Sequence, residues 1–305
     1  MSLPNTLIAG GAKCGTSTLF HVLRQHPEIC GPKKEEVDFF TSDFEFKYGQ
    51  VFYEWYYYNA YRGEKVLFDI NPDYIYQPLA LKRIRDVYSP ENIFIFVRNP
   101  VKRMTSHYWH NVRFFWENRT LSEAVEAELS DGQKWPSDQI IEDSRFRYVG
   151  CGQYLKHYNA LRDIFPQAKV CFIKFEEFFR NGAVQANMLF SKLGLADTPV
   201  KNRHDNRGGK RRVDLMQKAV FDFKVGNGET KNLTGDAMIV WDGENMDRLV
   251  LNPSQKAIQW AENAKKLYDQ NIEPDLLSRV QEAHFSTELA ELESVSGLDL
   301  SDWAA

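Results

Sequence analysis

The chain has 305 residues, of which 43% are hydrophobic, 26% charged and 14% aromatic, the balance of a globular protein with material for one large core. Its formal charge of −4, from 38 basic against 42 acidic side chains, excludes a global attraction to nucleic acid, so any anion must be held by a local cluster. The start MSLPNTLIAGG has no basic segment ahead of an apolar run, and no apolar stretch approaches bilayer length.

In chain order, a strand is predicted over Thr6–Ala9, followed by a glycine-rich loop and a helix over Thr16–Gln25. A second strand, Val66–Ile70, precedes a helix over Pro78–Val87, and a third, Ile93–Val97, precedes one over Pro100–Phe114. Helices over Leu121–Leu129 and Gln153–Ile164 lead to a strand at Val170–Ile173 and a helix over Ala183–Leu193. Strands alternating with helices of this length need crossover connections, so the expected fold is α/β, a P-loop-like three-layer arrangement with a central parallel sheet flanked by helices. No linker, repeat or low-complexity stretch divides the chain, which predicts a single domain over 1–305 with a specificity insertion around 213–281.

In such sheets ligands lie beyond the carboxyl ends of the strands, which directs attention to the residues after Ala9, Ile70 and Val97. Gly10-Gly11-Ala12-Lys13-Cys14-Gly15-Thr16-Ser17-Thr18 joins the first strand to the first helix. Glycines let backbone N–H groups turn toward an anion, the helix end adds partial positive charge, and three hydroxyls donate further hydrogen bonds. The loop resembles a Walker A loop, but Thr16 stands where that motif has its lysine, and Lys13 lies inside the loop instead. The displacement lowers the nucleoside-triphosphatase reading, whose chemistry places lysine and magnesium around the terminal phosphates.

The loop resembles the 5′-phosphosulfate loop of sulfotransferases, above all the carbohydrate branch that includes the heparan sulfate N- and 3-O-sulfotransferases. Glu35-Glu36-Val37-Asp38-Phe39-Phe40 is similar to that branch's glutamate motif, and Arg98-Asn99-Pro100-Val101-Lys102-Arg103-Met104-Thr105-Ser106-His107-Tyr108 to its 3′-phosphate segment. Phe172 to Glu177 and the ending Gly297 to Trp303 resemble bacterial members. The resemblance implies 3′-phosphoadenosine-5′-phosphosulfate (PAPS) as donor, 3′-phosphoadenosine-5′-phosphate (PAP) as product, and no metal. It implies that Lys13 contacts the bridging oxygen and sulfuryl group, that Gly15, Thr16, Ser17 and Thr18 hold the 5′-phosphate, and that Arg98 and Ser106 bind the 3′-phosphate. The basic cluster around Arg207 and Lys210 resembles the late loop that closes over the 3′-phosphate in the family.

Sulfuryl transfer needs a base for the acceptor's proton and a positive group for the departing phosphate oxygen. Glu36 is the candidate base, and His110 a second catalytic candidate, since Ser106 to His110 resembles the N-sulfotransferase pattern. Ile70 stands where the 3-O-sulfotransferases carry a lysine, so acceptor contacts differ here. Asp69 reads equally as an acceptor contact and as a turn residue before Pro72, and the aromatic run Phe52 to Tyr61 reads first as core. The expected partner is an acceptor substrate, carbohydrate before lipid or small alcohol, with no nucleic acid. Two alternatives stay open: a P-loop kinase using Asp69 as a metal ligand, and a nucleotide-binding relative without turnover. Four cysteines without metal-ligand spacing are expected as reduced thiols in a cytoplasmic protein, with a Golgi-luminal setting only for part of a eukaryotic enzyme.

Overall fold

The computed structural model describes residues 3–114, 116–130, 144–201, 266–267 and 272–303. Its centre is a sheet of β1 (Thr6–Gly10), β2 (Ile29–Cys30), β3 (Val66–Ile70), β4 (Asn92–Val97) and β5 (Lys169–Lys174), in the order β2-β3-β1-β4-β5. Every neighbouring pair is parallel, with Thr6 beside Phe68 on one side and beside Asn92 on the other. All five residues of β1 and of β3 are buried, as expected of strands covered on both faces. The predicted α/β architecture is thus present. The edge strand β2 is an addition: two residues carry no periodicity, and Ile29 and Cys30 become a strand only by pairing with Val66 and Leu67.

Helices α1 (Thr16–Leu23), α2 (Asp43–Phe46), α3 (Gly49–Tyr57), α4 (Pro78–Val87), α5 (Pro100–Arg113) and α6 (Leu121–Ser130) lie in the first half. They are followed by α7 (Tyr154–Ile164), α8 (Phe175–Arg180), α9 (Gly182–Lys192), α10 (Pro274–Val280) and α11 (Ser286–Ser296). Both α4 and α5 begin with proline, whose fixed φ and missing N–H suit the first helical position. The Asn99 side chain caps α5 by accepting from Lys102 N at 3.0 Å. That cap sets the direction in which α5 leaves the end of β4. Among the described residues no helix is long and apolar enough to cross a membrane.

The aromatic run is mostly core. Tyr53, Tyr57 and Tyr58 are buried on and just after α3, a helix that its tyrosine-rich sequence does not announce, while Trp55 faces out. The Tyr53, Tyr74 and Tyr88 hydroxyls donate to the carboxylate of fully buried Asp69, at 2.5, 3.1 and 2.9 Å. Asp69 is therefore a structural hub, neither a turn residue nor an acceptor contact. A second apolar cluster joins Met104, Tyr108 and Val112 of α5 to Leu276 and Val280 of α10. Most of the expected insertion around 213–281 lies outside the described residues. All four cysteines are free thiols.

Two segments singled out in the sequence meet at the far side of the sheet. Lys174, buried at the end of β5, donates to Asp302 Oδ1 and Asp299 O, both at 2.5 Å, and lies 5.7 Å from the ring of buried Trp303. The buried ammonium is thus satisfied by the chain's last described turn.

Burial pushes the Asp69 carboxyl up to about 6 even though its hydroxyl partners favour the anion. A carboxyl raised in the folded state adds stability below its unfolded value and loses it as pH rises through the folded one. The wild type is therefore expected to gain stability relative to Asp69→Asn as pH falls from about 6 to about 4. Urea midpoints of the two proteins across this range measure the difference.

Candidate active site

The loops that follow β1, β3 and β4, together with α8 after β5, open into one cleft of about 2050 Å³, more than a typical single-ligand pocket holds. Lys13, Gly15, Thr16, Ser17, Thr18, Glu36, Arg98, Ser106 and His110 all line it. Arg207 and Lys210 lie outside the described residues.

Gly15 is the N-cap of α1 with φ 97°, a conformation that disfavours a side chain. A Cβ there would lie 2.7 Å from Phe179 Cε2. No side chain caps α1, and its first turn holds no acid, so the N–H groups and positive end of the helix face the cleft uncompensated. Lys13 also has positive φ, 66°, which carries its side chain over the loop. Behind the loop, the buried Tyr76 hydroxyl accepts from Ala12 N at 3.2 Å, and Gly11 N donates to Phe96 O at 3.0 Å. The loop is thus held from both flanking strands.

Arg98 follows β4 directly. Its Nη1 donates to Lys13 O at 3.1 Å, its guanidinium lies 4.4 Å from the Phe175 ring centroid, and its buried Nε has no partner among the described residues. Ser106 lies on α5 along the same wall of the cleft. A partly unsatisfied fork beside a serine, next to an uncapped helix, is a fitting set of donors for a nucleotide carrying phosphates at two ends.

Lys13 Nζ lies 2.9 Å from His110 Nδ1, which also receives Arg113 Nη2 at 3.2 Å. Burial, then the positive charges of Lys13 and Arg113, push the imidazole down to about 3, so it is neutral and its Nδ1 serves as acceptor. Lys13 is itself lowered to about 8, by burial first and by Arg113, Arg98 and Arg103, with Glu36 opposing. Glu36 opens onto the cleft and accepts no hydrogen bond from a described residue. The protein wall around it, then Asp73, Asp38 and Glu35, push its carboxyl up to about 7, against the pull of Lys13. Glu36 is itself exposed to solvent across the cleft, which screens this push.

The structure adds cleft residues that sequence reasoning passed over. Asp73, raised to about 6 by burial and Asp38, faces the same space as Glu36. Arg113 stands three residues beyond His110, a spacing that places both on one helix face and could have revealed it. Trp116 and Arg145, whose guanidinium lies 4.5 Å from the Trp116 ring, form a rim with no local signal in the sequence. Ile70, by contrast, is fully buried in β3 and absent from the cleft wall.

The mutual influence of Lys13 and Glu36 can be measured without substrate. Removing the Glu36 charge takes away a group that raises Lys13, so Glu36→Gln is expected to lower the Lys13 pKa and speed its acylation at neutral pH. Arg113→Met is expected to act in the opposite direction. Time-resolved mass spectrometry of the labelled chain reads both.

A family model described as "Sulfotransferase domain" matches residues 3–206. Curated relatives include a membrane-associated sulfotransferase, kil1, of Dictyostelium discoideum, 27% identical over 39% of this chain and 26% of its own length. A bifunctional heparan sulfate N-deacetylase/N-sulfotransferase 1 of Caenorhabditis elegans is 26% identical over 65% of this chain and 23% of its own length. The matches span only about a quarter of these relatives. A sulfotransferase structure from Alicyclobacillus acidocaldarius aligns over 100% of both chains with a TM-score of 0.64 and 24% identity, a likeness of fold. With two thirds of its length matched from before β1 to beyond α9, the chain belongs to the sulfotransferase domain family.

Proposed function

We propose that the protein transfers a sulfuryl group from PAPS to a hydroxyl or amine of an acceptor, with Glu36 as general base. The observation that carries this is the convergence of Lys13, Glu36, Arg98, Ser106 and His110, from three separate stretches of sequence, on one cleft at an uncapped helix N-terminus. The name of the Caenorhabditis relative favours a carbohydrate acceptor. Trp116, partly exposed at the rim between the Phe114 ring and the Arg145 guanidinium, brings aromatic and cationic surface to where an acceptor would enter.

The residues present fit such a donor. The first turn of α1, with Thr16, Ser17 and Thr18, would hold the 5′-phosphate, and Arg98 with Ser106 the 3′-phosphate. When bound, the donor supplies a sulfuryl group already activated by its mixed anhydride bond. Glu36 receives the proton that the attacking hydroxyl or amine loses. Lys13 brings positive charge to the oxygen on which electrons collect as the sulfur–oxygen bond to phosphate breaks. His110, neutral and already accepting from Lys13, keeps that ammonium over the loop and is better suited to positioning than to proton abstraction.

The kinase alternative loses the residue it needs, because Asp69 is enclosed by three tyrosine hydroxyls and does not line the cleft. Against a relative without turnover stands the presence of both Lys13 and Glu36 in the cleft.

Calorimetry with PAP is expected to show binding by the wild type that is weakened at least about tenfold by Arg98→Ala and by Ser106→Ala. Glu36→Gln is expected to keep PAP binding and lose about 10²- to 10⁴-fold in transfer rate. No binding of PAP by the folded wild type would sink the proposal. In the unliganded enzyme Glu36 must lose a proton and Lys13 must keep one, so kcat/KM is expected to rise with pH through about 7 and fall through about 8. Glu36→Gln should lack the rising limb.

A further inference from the structure

Tyr154 opens α7 and is 2% exposed, yet its hydroxyl meets the two segments that grip opposite ends of the proposed nucleotide. The hydroxyl donates to Arg98 O at 2.8 Å and accepts from Arg98 N at 3.2 Å. Both main-chain groups of one residue are thus bound by a single side-chain atom. The same oxygen lies 3.6 Å from Cys14 Sγ, in the middle of the glycine-rich loop. Burial holds the phenol far above its ordinary range, so it keeps the proton that this arrangement requires. Behind it the ring packs 6.2 Å from buried Trp303, in the turn anchored by Lys174.

Arg98 sits where β4 has ended and α5 has not begun, so sheet and helix leave its peptide groups to other partners. Its guanidinium is tied back to Lys13 O and stacked on Phe175, but those contacts fix the head and not the backbone from which it extends. Tyr154 fixes that backbone and touches the loop. We propose that Tyr154 is a positioning residue that sets the spacing between the glycine-rich loop and Arg98. It thereby sets the preference of the site for a 3′,5′-bisphosphorylated nucleotide over a 5′-monophosphate. The inference rests on the proposed assignment of the loop and Arg98 to the two phosphates.

A second buried hydroxyl supplies the control. Tyr76 braces the loop at Ala12 N and has no hydrogen bond to Arg98, so its loss should disturb the loop without releasing the Arg98 backbone. The test is the ratio of affinities for PAP and adenosine 5′-monophosphate, measured by calorimetry on wild type, Tyr154→Phe and Tyr76→Phe. Because both ligands are titrated into the same sample, the ratio is indifferent to a partial loss of folded protein. Tyr154→Phe is expected to reduce the preference for PAP about tenfold, whereas Tyr76→Phe weakens both ligands alike and keeps the ratio within about twofold. Cys14→Ala removes the Tyr154 contact from the loop side, together with the Cys14 Sγ contact to Ala12 O, and should lower the ratio in the same direction by a smaller factor.

An unchanged ratio in Tyr154→Phe means that the tyrosine is only packing and overturns the inference while leaving the proposed function intact. If Tyr154→Phe does not fold, an unchanged ratio in Cys14→Ala overturns it instead. Failure of wild type to bind PAP at all removes the proposed function and this inference with it.

Discussion

The site depends on holding Lys13 among other cations. Arg98, Arg103 and Arg113 surround an ammonium already removed from water, and each makes its charge harder to keep. The neighbouring groups answer to that crowding. His110 cannot take a proton beside two cations and becomes an acceptor, while Glu36 gains from Lys13 only part of what it loses to its own wall and to Asp73 and Asp38. An arriving polyanion relieves the repulsion among all these cations at once. The crowded cations are thus a setting in which the proposed doubly phosphorylated ligand would be electrostatically favoured.

Much of this was legible in the sequence because the chemistry is local. A strand, a glycine loop and a helix start follow one another in consecutive residues, and Arg98 and Ser106 lie on a single strand-to-helix unit that the fold brings to the same cleft. Glu36 was legible as a motif, but its electrostatic setting was not, since Asp73 reaches it from the loop after β3. His110 was legible as a candidate by position, but its contact with Lys13 was not, because that depends on where the side chain of a residue 97 positions away turns. Asp69 misled for the same reason: its tyrosine partners come from α3, from the turn after β3 and from beyond α4. The strand β2 and helix α3 are made by tertiary contacts and left no periodic trace.

The second core cluster, which includes Tyr148 and Val149, adjoins a pair of buried charges that shape the cleft from the α5 and α6 side. Arg103 is fully buried on α5 and donates to Tyr148 O, while the buried Glu128 carboxylate accepts from Val149 N and Gly150 N at 2.8 Å each. Opposite charges thus grip successive peptides of one tight turn, and the segment just before it carries Arg145 to the rim. Buried charges without direct contact are tolerated because the backbone between them is polarised to suit both. The rim therefore owes its position to α5 and α6, not to the sheet that holds the glycine-rich loop.

The tyrosines around Asp69 have an optical consequence. Tyr53, Tyr58, Tyr74 and Tyr88 are all pushed well above the ordinary phenol range, by burial first and then by the carboxylate they enclose. In an alkaline titration these rings stay silent at the pH where a solvent-exposed phenol ionises and changes its near-ultraviolet absorbance. Their own signal arrives only when the cage opens, and then all together. The fold carries in its β3 flank an intrinsic chromophore for its cooperative unfolding.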